Sequence, residues 1–189
     1  MKVILIGYRA TGKTTAGLLL SRKLNVPFVD TDRLIEEAAG MTIKKLIGLE
    51  GWPAFRQKEK EVIASLAGKK ICVVATGGGA VLDEENRIFL KKTGVVVCLK
   101  ASLNDILARL KRDVEAGQAR PQFTSQDLAV ETVAVLNERI PLYASVADIT
   151  IDTEGKSVVR VADEIYEYLL ETGMVFEINK LKKNSKNES

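Results

Sequence analysis

Long apolar runs are missing from this chain. Its most apolar stretches, Val3-Ile4-Leu5-Ile6 and Val95-Val96-Val97-Cys98-Leu99, are far too short for a bilayer-crossing helix. Met1-Lys2 leads straight into the first of them and then into a glycine-rich turn, an order that does not suit a secretory signal peptide. Cysteine is scarce. Cys72 and Cys98 both sit inside apolar runs and read as reduced core thiols, which excludes a disulfide framework and makes the cytosol the expected compartment. Aromatic residues make up only 5% of the chain, and the net charge is a modest +3. Residues 173–189 hold Lys180, Lys182, Lys183 and Lys186 against Glu177 and Glu188, which accounts for two of those three charges. No basic stripe remains elsewhere, so neither nucleic acid nor a membrane is an expected partner. There is no internal repeat and no Pro/Ser-rich linker, and 189 residues with 46% hydrophobic content fit one globular domain.

Short β-branched runs alternate with longer helical patterns. Strands are expected at 3–6, 27–29, 71–75, 95–99 and 149–151, and helices over 13–24, 32–39, 52–66, 84–92, 103–111, 126–145 and 157–170. Buried strands joined by such crossovers imply a parallel sheet with helices on both faces, a three-layer α/β/α fold. Residues 113–125 break the pattern: they lack an apolar period, contain Gly117 and Pro121, and form a longer connection than most. An arginine there, Arg120, beside a nucleotide site would suit a lid. The domain is expected to span 1–171, followed by a polar extension over 172–189 whose end frays.

Gly7-Tyr8-Arg9-Ala10-Thr11-Gly12-Lys13-Thr14 satisfies the phosphate-loop pattern G-x-x-x-x-G-K-[ST], directly after a strand and opening a helix. That context is physically required. Glycines let the backbone turn so that successive N–H groups face phosphate oxygens, and the helix N-terminus adds positive potential. Lys13 is then expected on the β- and γ-phosphates, and the Thr14 hydroxyl on magnesium. Guanine recognition by N-K-x-D is absent, since Asn179-Lys180 is followed by Leu181-Lys182. The third strand closes on Ala75-Thr76-Gly77-Gly78-Gly79 with no acid, so another carboxylate must help hold the metal.

Asp30-Thr31-Asp32 ends the second strand and supplies two candidates. In extended chain, residues i and i+2 point the same way, toward the strand ends where ligands of open α/β sheets bind. One can support magnesium and the other accept the proton of an attacking hydroxyl, although either can also cap the helix that follows. Gly77-Gly78-Gly79 allows close backbone approach to a substrate oxygen. Arg56, with Glu59 three residues on, and Arg139 suit an anionic acceptor, because guanidinium forks match carboxylates.

Taken together, the pattern resembles the shikimate kinase family. The matching residues are Gly7 to Thr15, Pro27 to Asp32, Phe55-Arg56 with Glu59, Thr76 to Ala80, Arg120-Pro121, and Glu138-Arg139-Ile140-Pro141-Leu142-Tyr143, in that family's order from Lys2 to about Leu170. The resemblance implies a five-stranded parallel sheet of the nucleoside-monophosphate-kinase type, with a lid over ATP and shikimate. It implies that Ala10, Thr11, Gly12, Lys13, Thr14, Thr15, Arg120 and Lys156 bind ATP. Asp32, Arg56, Gly78 and Arg139 are implied to bind shikimate, and Thr14 with Asp30 to serve Mg2+. Lys13, Asp32 and Arg120 are the implied catalytic groups, in a monomer or a weak homodimer. Ala10 stands where the family usually has glycine, Lys156 where it often has arginine, and Arg109 and Arg112 both flank the lid. The rival expectations are a gluconate- or nucleotide-type kinase on the same fold and a nucleotide-binding module without transfer.

Overall fold

A computed structural model describes residues 1–115 and 127–187. Five strands, β1 (Lys2–Ile6), β2 (Phe28–Asp30), β3 (Cys72–Ala75), β4 (Gly94–Lys100) and β5 (Ile149–Asp152), form one sheet in the order β2-β3-β1-β4-β5. Every pairing is parallel, with Val3 opposite Val73 on one side and Val95 on the other. Parallel strands need crossovers, and these are α1 (Lys13–Leu24), α2 (Thr31–Ala39), α3 (Ile43–Ser65), α4 (Glu84–Thr93), α5 (Leu103–Glu115) and α6 (Leu128–Val146). Two further helices, α7 (Val158–Glu171) and α8 (Met174–Asn187), follow β5. None of the described helices is long and apolar enough to cross a membrane.

The two-residue period of β1 decides the layers. Val3 and Leu5 face a core completed by Ala16, Leu20 and Leu24 of α1 and Val161, Ile165 and Leu169 of α7. Ile4 and Ile6 face the opposite core, with Ile63 of α3, Leu90 of α4 and Tyr143 and Val146 of α6. Cys72 and Cys98 are both free and buried there, and burial pushes the Cys98 thiol up to about 11. The chain leaves β1 to build one side of the sheet and returns through β4 to the other. The crevice at the carboxyl end of β1 is therefore the switch point where ligands of such sheets bind.

Two helical segments differ from the sequence expectation. The helix expected from Trp52 begins at Ile43, capped by Thr42 Oγ1 on Lys45 N at 3.2 Å, and bends at Gly51, whose φ of 80° is left-handed. Gly51 and Pro53 hide this helix from a periodicity reading, because both residue types normally mark an end. The polar extension carries a helix, α8, that the sequence reading did not include. Its Val175 and Ile178, one turn apart, are 9% and 2% exposed in the α1/α7 core, and Lys182 Nζ donates to Leu24 O at 3.1 Å. Burying two such side chains contributes about 1.5–3 kcal/mol each, enough to order a segment that its lysines make look solvated.

Ala10 holds a φ of 62° in the phosphate loop. The left-handed region costs a residue with a Cβ about 1–2 kcal/mol. Ala10→Gly is therefore expected to raise the melting temperature by about 2–4 °C, roughly 1 kcal/mol at this chain length. A thermal melt showing a fall instead would mean that the Ala10 methyl, packed against the Tyr8, Ile106, Leu110 and Val135 cluster, outweighs the backbone strain.

Candidate active site

Turn geometry, more than side-chain identity, forms the phosphate loop. Gly7 lies at φ 133°, and a Cβ there would overlap the Leu99 carbonyl of neighbouring β4, so only glycine fits. Gly12, at φ 91°, occupies the N-cap of α1 and has no side chain to cap the helix, which leaves the first amides of the helix for an anion. Two donors converge on the Tyr8 carbonyl: Lys13 Nζ at 2.7 Å and Thr11 Oγ1 at 2.8 Å. Lys13 is only 8% exposed, so its ammonium lies folded against the loop it serves.

Asp30 uses both of its carboxylate oxygens. Oδ1 accepts from the backbone N–H of Asp32 at 3.0 Å and of Arg33 at 3.4 Å, capping α2. Oδ2 accepts from Thr14 Oγ1 at 2.7 Å, joining β2 to the start of α1. Among the described residues there is no cluster of three or more His, Cys, Asp or Glu side chains that could hold a metal. A hydroxyl, a nearby carboxylate and room for phosphate oxygens and water are nevertheless the donor set that magnesium takes beside a nucleotide.

One cleft opens on the outer side of this loop. Its lining includes Ala10, Thr11, Gly12 and Thr15, Arg109 and Arg112 of α5, and Thr153, Lys156 and Val158. Arg109 donates to Ala10 O at 3.0 Å and pairs with Asp105 at 3.4 Å, so it braces the loop while lining the cleft. Lys156 Nζ is drawn to Glu164 Oε2 at 2.6 Å, which also pairs with Arg160. Its stem lines the cleft while its charge is shared with α7. Arg120 lies outside the described residues, as does most of the expected lid.

A second cleft lies across the loop, walled by Ile43, Ile47, Trp52 and Phe55 and by Arg9, Arg56, Glu59, Gly77, Gly78, Gly79 and Arg139. Trp52 and Phe55 meet edge to face at 5.8 Å, and the Arg56 guanidinium stacks over them at 5.5 and 5.0 Å. Glu59, only 2% exposed, holds Arg56 NH1 at 2.5 Å. Burial pushes the Glu59 carboxyl above the usual range, the Arg56 guanidinium opposing it. From the other wall, Arg139 NH1 donates to Gly78 O at 3.3 Å, and Tyr143 Oη donates to the same oxygen at 2.5 Å. Burial also raises the Tyr143 hydroxyl, which keeps it a donor.

The triple glycine leaves room for the side chains around it. A Cβ on Gly77 would stand 2.6 Å from Glu59 Oε1 and 2.9 Å from Asp32 Oδ1, and one on Gly79 would overlap the Arg56 guanidinium. Asp32 thus borders the cleft at Gly77, although it is not part of the wall. The chain contains no histidine, and Asp32 and Glu59 are the carboxylates that stand beside Gly77. Gly79→Ala is expected to fold normally, because the obstructing atoms are the tip of a flexible side chain. It should displace Arg56 and raise the KM for an anionic acceptor about tenfold, with the KM for nucleotide unchanged. Steady-state kinetics with each substrate varied in turn checks this.

Of the sequence-predicted site residues, Ala10, Thr11, Gly12, Thr15 and Lys156 line the first cleft and Arg56, Gly78 and Arg139 the second, while Lys13 and Thr14 stay with the loop, Asp30 holds Thr14 and Asp32 stands beside Gly77. Sequence reasoning missed the apolar wall from the first half of α3, and it missed Arg9. Arg9 was visible as a charge inside the phosphate-loop motif, but its direction was not.

Comparison with known proteins gives a consistent picture. The family model described as "Shikimate kinase" matches residues 9–170. The shikimate kinase of Syntrophus aciditrophicus is 44% identical over 171 residues, covering 86% of this chain and 88% of that protein. That of Geobacter sulfurreducens is 45% identical over 169 residues, covering 89% and 91%. The solved structure of shikimate kinase from Acinetobacter baumannii in complex with shikimate is similar at a TM-score of 0.84 and 35% identity, covering 90% of this chain and 93% of that one.

Proposed function

The chain belongs to the shikimate kinase family, and from this we infer that it transfers the γ-phosphoryl group of ATP to the 3-hydroxyl of shikimate, giving shikimate 3-phosphate and ADP. One observation carries the acceptor assignment: Arg56 and Arg139 line a cleft with an apolar wall, beside Asp32 and directly across the phosphate loop from the nucleotide cleft. An acceptor with a carboxylate, a ring and several hydroxyls matches those three features at once.

In this reading Arg56 and Arg139 take the carboxylate as bidentate forks, and the ring lies against Trp52 and Phe55. Gly78 presents backbone to the acceptor while its carbonyl is held by Arg139 and Tyr143. Asp32 orients the 3-hydroxyl and accepts its proton as the oxygen attacks the γ-phosphorus. The bond from the γ-phosphorus to its bridging oxygen breaks, and that electron pair leaves with ADP. Lys13 moves from Tyr8 O to the β- and γ-phosphate oxygens, while the amides of residues 10–15 hold the phosphates. Thr14 would hold magnesium directly and Asp30 through water. When bound, that ion neutralises charge on the β- and γ-oxygens. Arg109, Arg112 and Lys156 flank the nucleotide, and Arg120 is assigned to the phosphates on the family pattern.

Phosphoryl transfer is mostly positioning and charge neutralisation, which is what two clefts beside one phosphate loop provide. The test is ADP release by folded protein given MgATP, with and without shikimate. Turnover must depend on shikimate; equal rates with gluconate, or none with either, would overturn the assignment.

A further inference from the structure

The second residue after Gly7 in the phosphate loop carries a positive charge that the assigned reaction has not used. Arg9 is 10% exposed at its side chain, and its NH2 donates to Glu131 Oε1 at 2.8 Å; the Glu131 side chain is fully buried. Arg9 Nε also donates to Tyr8 Oη at 3.2 Å, and the guanidinium lies 5.6 Å from the Tyr8 ring. The ion pair joins residues 122 apart in sequence. Stability alone is a poor reason to keep it, because apolar pairs of similar volume often stabilise a fold as well or better.

The helix that supplies Glu131 also serves the acceptor cleft. Glu131, Val135, Arg139 and Tyr143 recur every four residues along α6 and form its buried stripe. Glu131 holds the phosphate loop, Val135 packs with Tyr8, and Arg139 and Tyr143 both hold Gly78 O. The two turns also touch, since a Cβ on Gly78 would stand 3.1 Å from Arg9 N. One helix face therefore grips both the loop that carries the phosphoryl donor and the turn that carries the acceptor, and Arg9 lines the cleft between them.

We propose that the Arg9–Glu131 pair is a positioning element for phosphoryl transfer, locking the leading turn of the phosphate loop to the helix that carries Arg139 and so fixing the separation of donor and acceptor. The proposal rests on the reading of the two clefts given above. A misplacement of about 1 Å between reacting groups can cost on the order of 100-fold in rate, so a tether at this junction acts on kcat.

The experiment compares wild type with the double variant Arg9→Met/Glu131→Leu, which removes both charges and leaves neither buried alone. The expected result is a melting temperature within about 5 °C of wild type, KM values for ATP and shikimate within threefold, and kcat lower by at least tenfold. A folded double variant with kcat within twofold of wild type overturns the proposal. So does a loss confined to the KM for shikimate, which would make Arg9 a simple binding contact. If the double variant does not fold, Arg9→Lys keeps the charge but not the fork, and should lower kcat at least fivefold; kcat within twofold overturns the proposal there too. Failure of wild type to turn over shikimate at all would instead reject the assignment of the clefts, independently of the pair.

Discussion

Lys13→Ala is expected to lower kcat by about 10³-fold or more, with the protein still folded. Removing one preorganised donor from developing charge costs about 10²–10³-fold. This substitution removes a full ammonium from the phosphates and takes away one of the two donors on the Tyr8 carbonyl, leaving Thr11 Oγ1 at 2.8 Å. Its stability cost is small by comparison. One hydrogen bond is worth about 1 kcal/mol net, and a mostly buried ammonium no longer has to be desolvated. A shikimate-dependent ADP assay alongside a thermal melt separates the two effects. A kcat near that of wild type would mean that the loop between β1 and α1 is not the phosphate site, whatever its sequence.

Asp32→Asn should produce the second largest loss, about 10²–10⁴-fold in kcat, the usual contribution of a positioned proton acceptor. Asparagine keeps the size of the side chain and an oxygen for the substrate hydroxyl, so the KM for shikimate should move less than threefold. The backbone N–H of Asp32, held by Asp30 Oδ1 at 3.0 Å, is untouched by the change, and the α2 cap should survive. Kinetics with shikimate and ATP varied separately would show the split. If kcat falls by less than threefold, the proton goes elsewhere. Glu59 is then the first alternative, because it stands beside Asp32 at Gly77 and burial raises its affinity for a proton.

The two predictions differ in how far each residue could be read before folding. Lys13 belongs to a motif whose parts are contiguous, and the backbone of eight neighbouring residues makes the cradle almost by itself. Asp32 was legible only jointly, through its pairing with Asp30 at the end of a strand. Asp30 took the cap and Thr14, which left Asp32 against Gly77. The glycines of the third strand's end read as a permissive turn. Only packing shows that they are spaces for Arg56, Glu59 and Asp32.

The element order was equally uneven. The five strands announced themselves through short apolar runs, and α1 through its apolar spacing. The first half of α3 did not, because a left-handed Gly51 and Pro53 sit inside it. Nor did α8, whose four lysines outvoted Val175 and Ile178 in any reading of local composition.

The sequence by itself determined the parallel α/β architecture, the phosphate loop, and the identity of the carboxylates and arginines that face it. These depend on backbone conformation and on alternation between neighbours, which are local properties of the chain. Tertiary structure alone decided where each charge points. It turned Arg9 to Glu131 and Arg139 to Gly78, since a side chain is directed by whichever partner the fold carries to it, and those partners lie 122 and 61 residues away along the sequence.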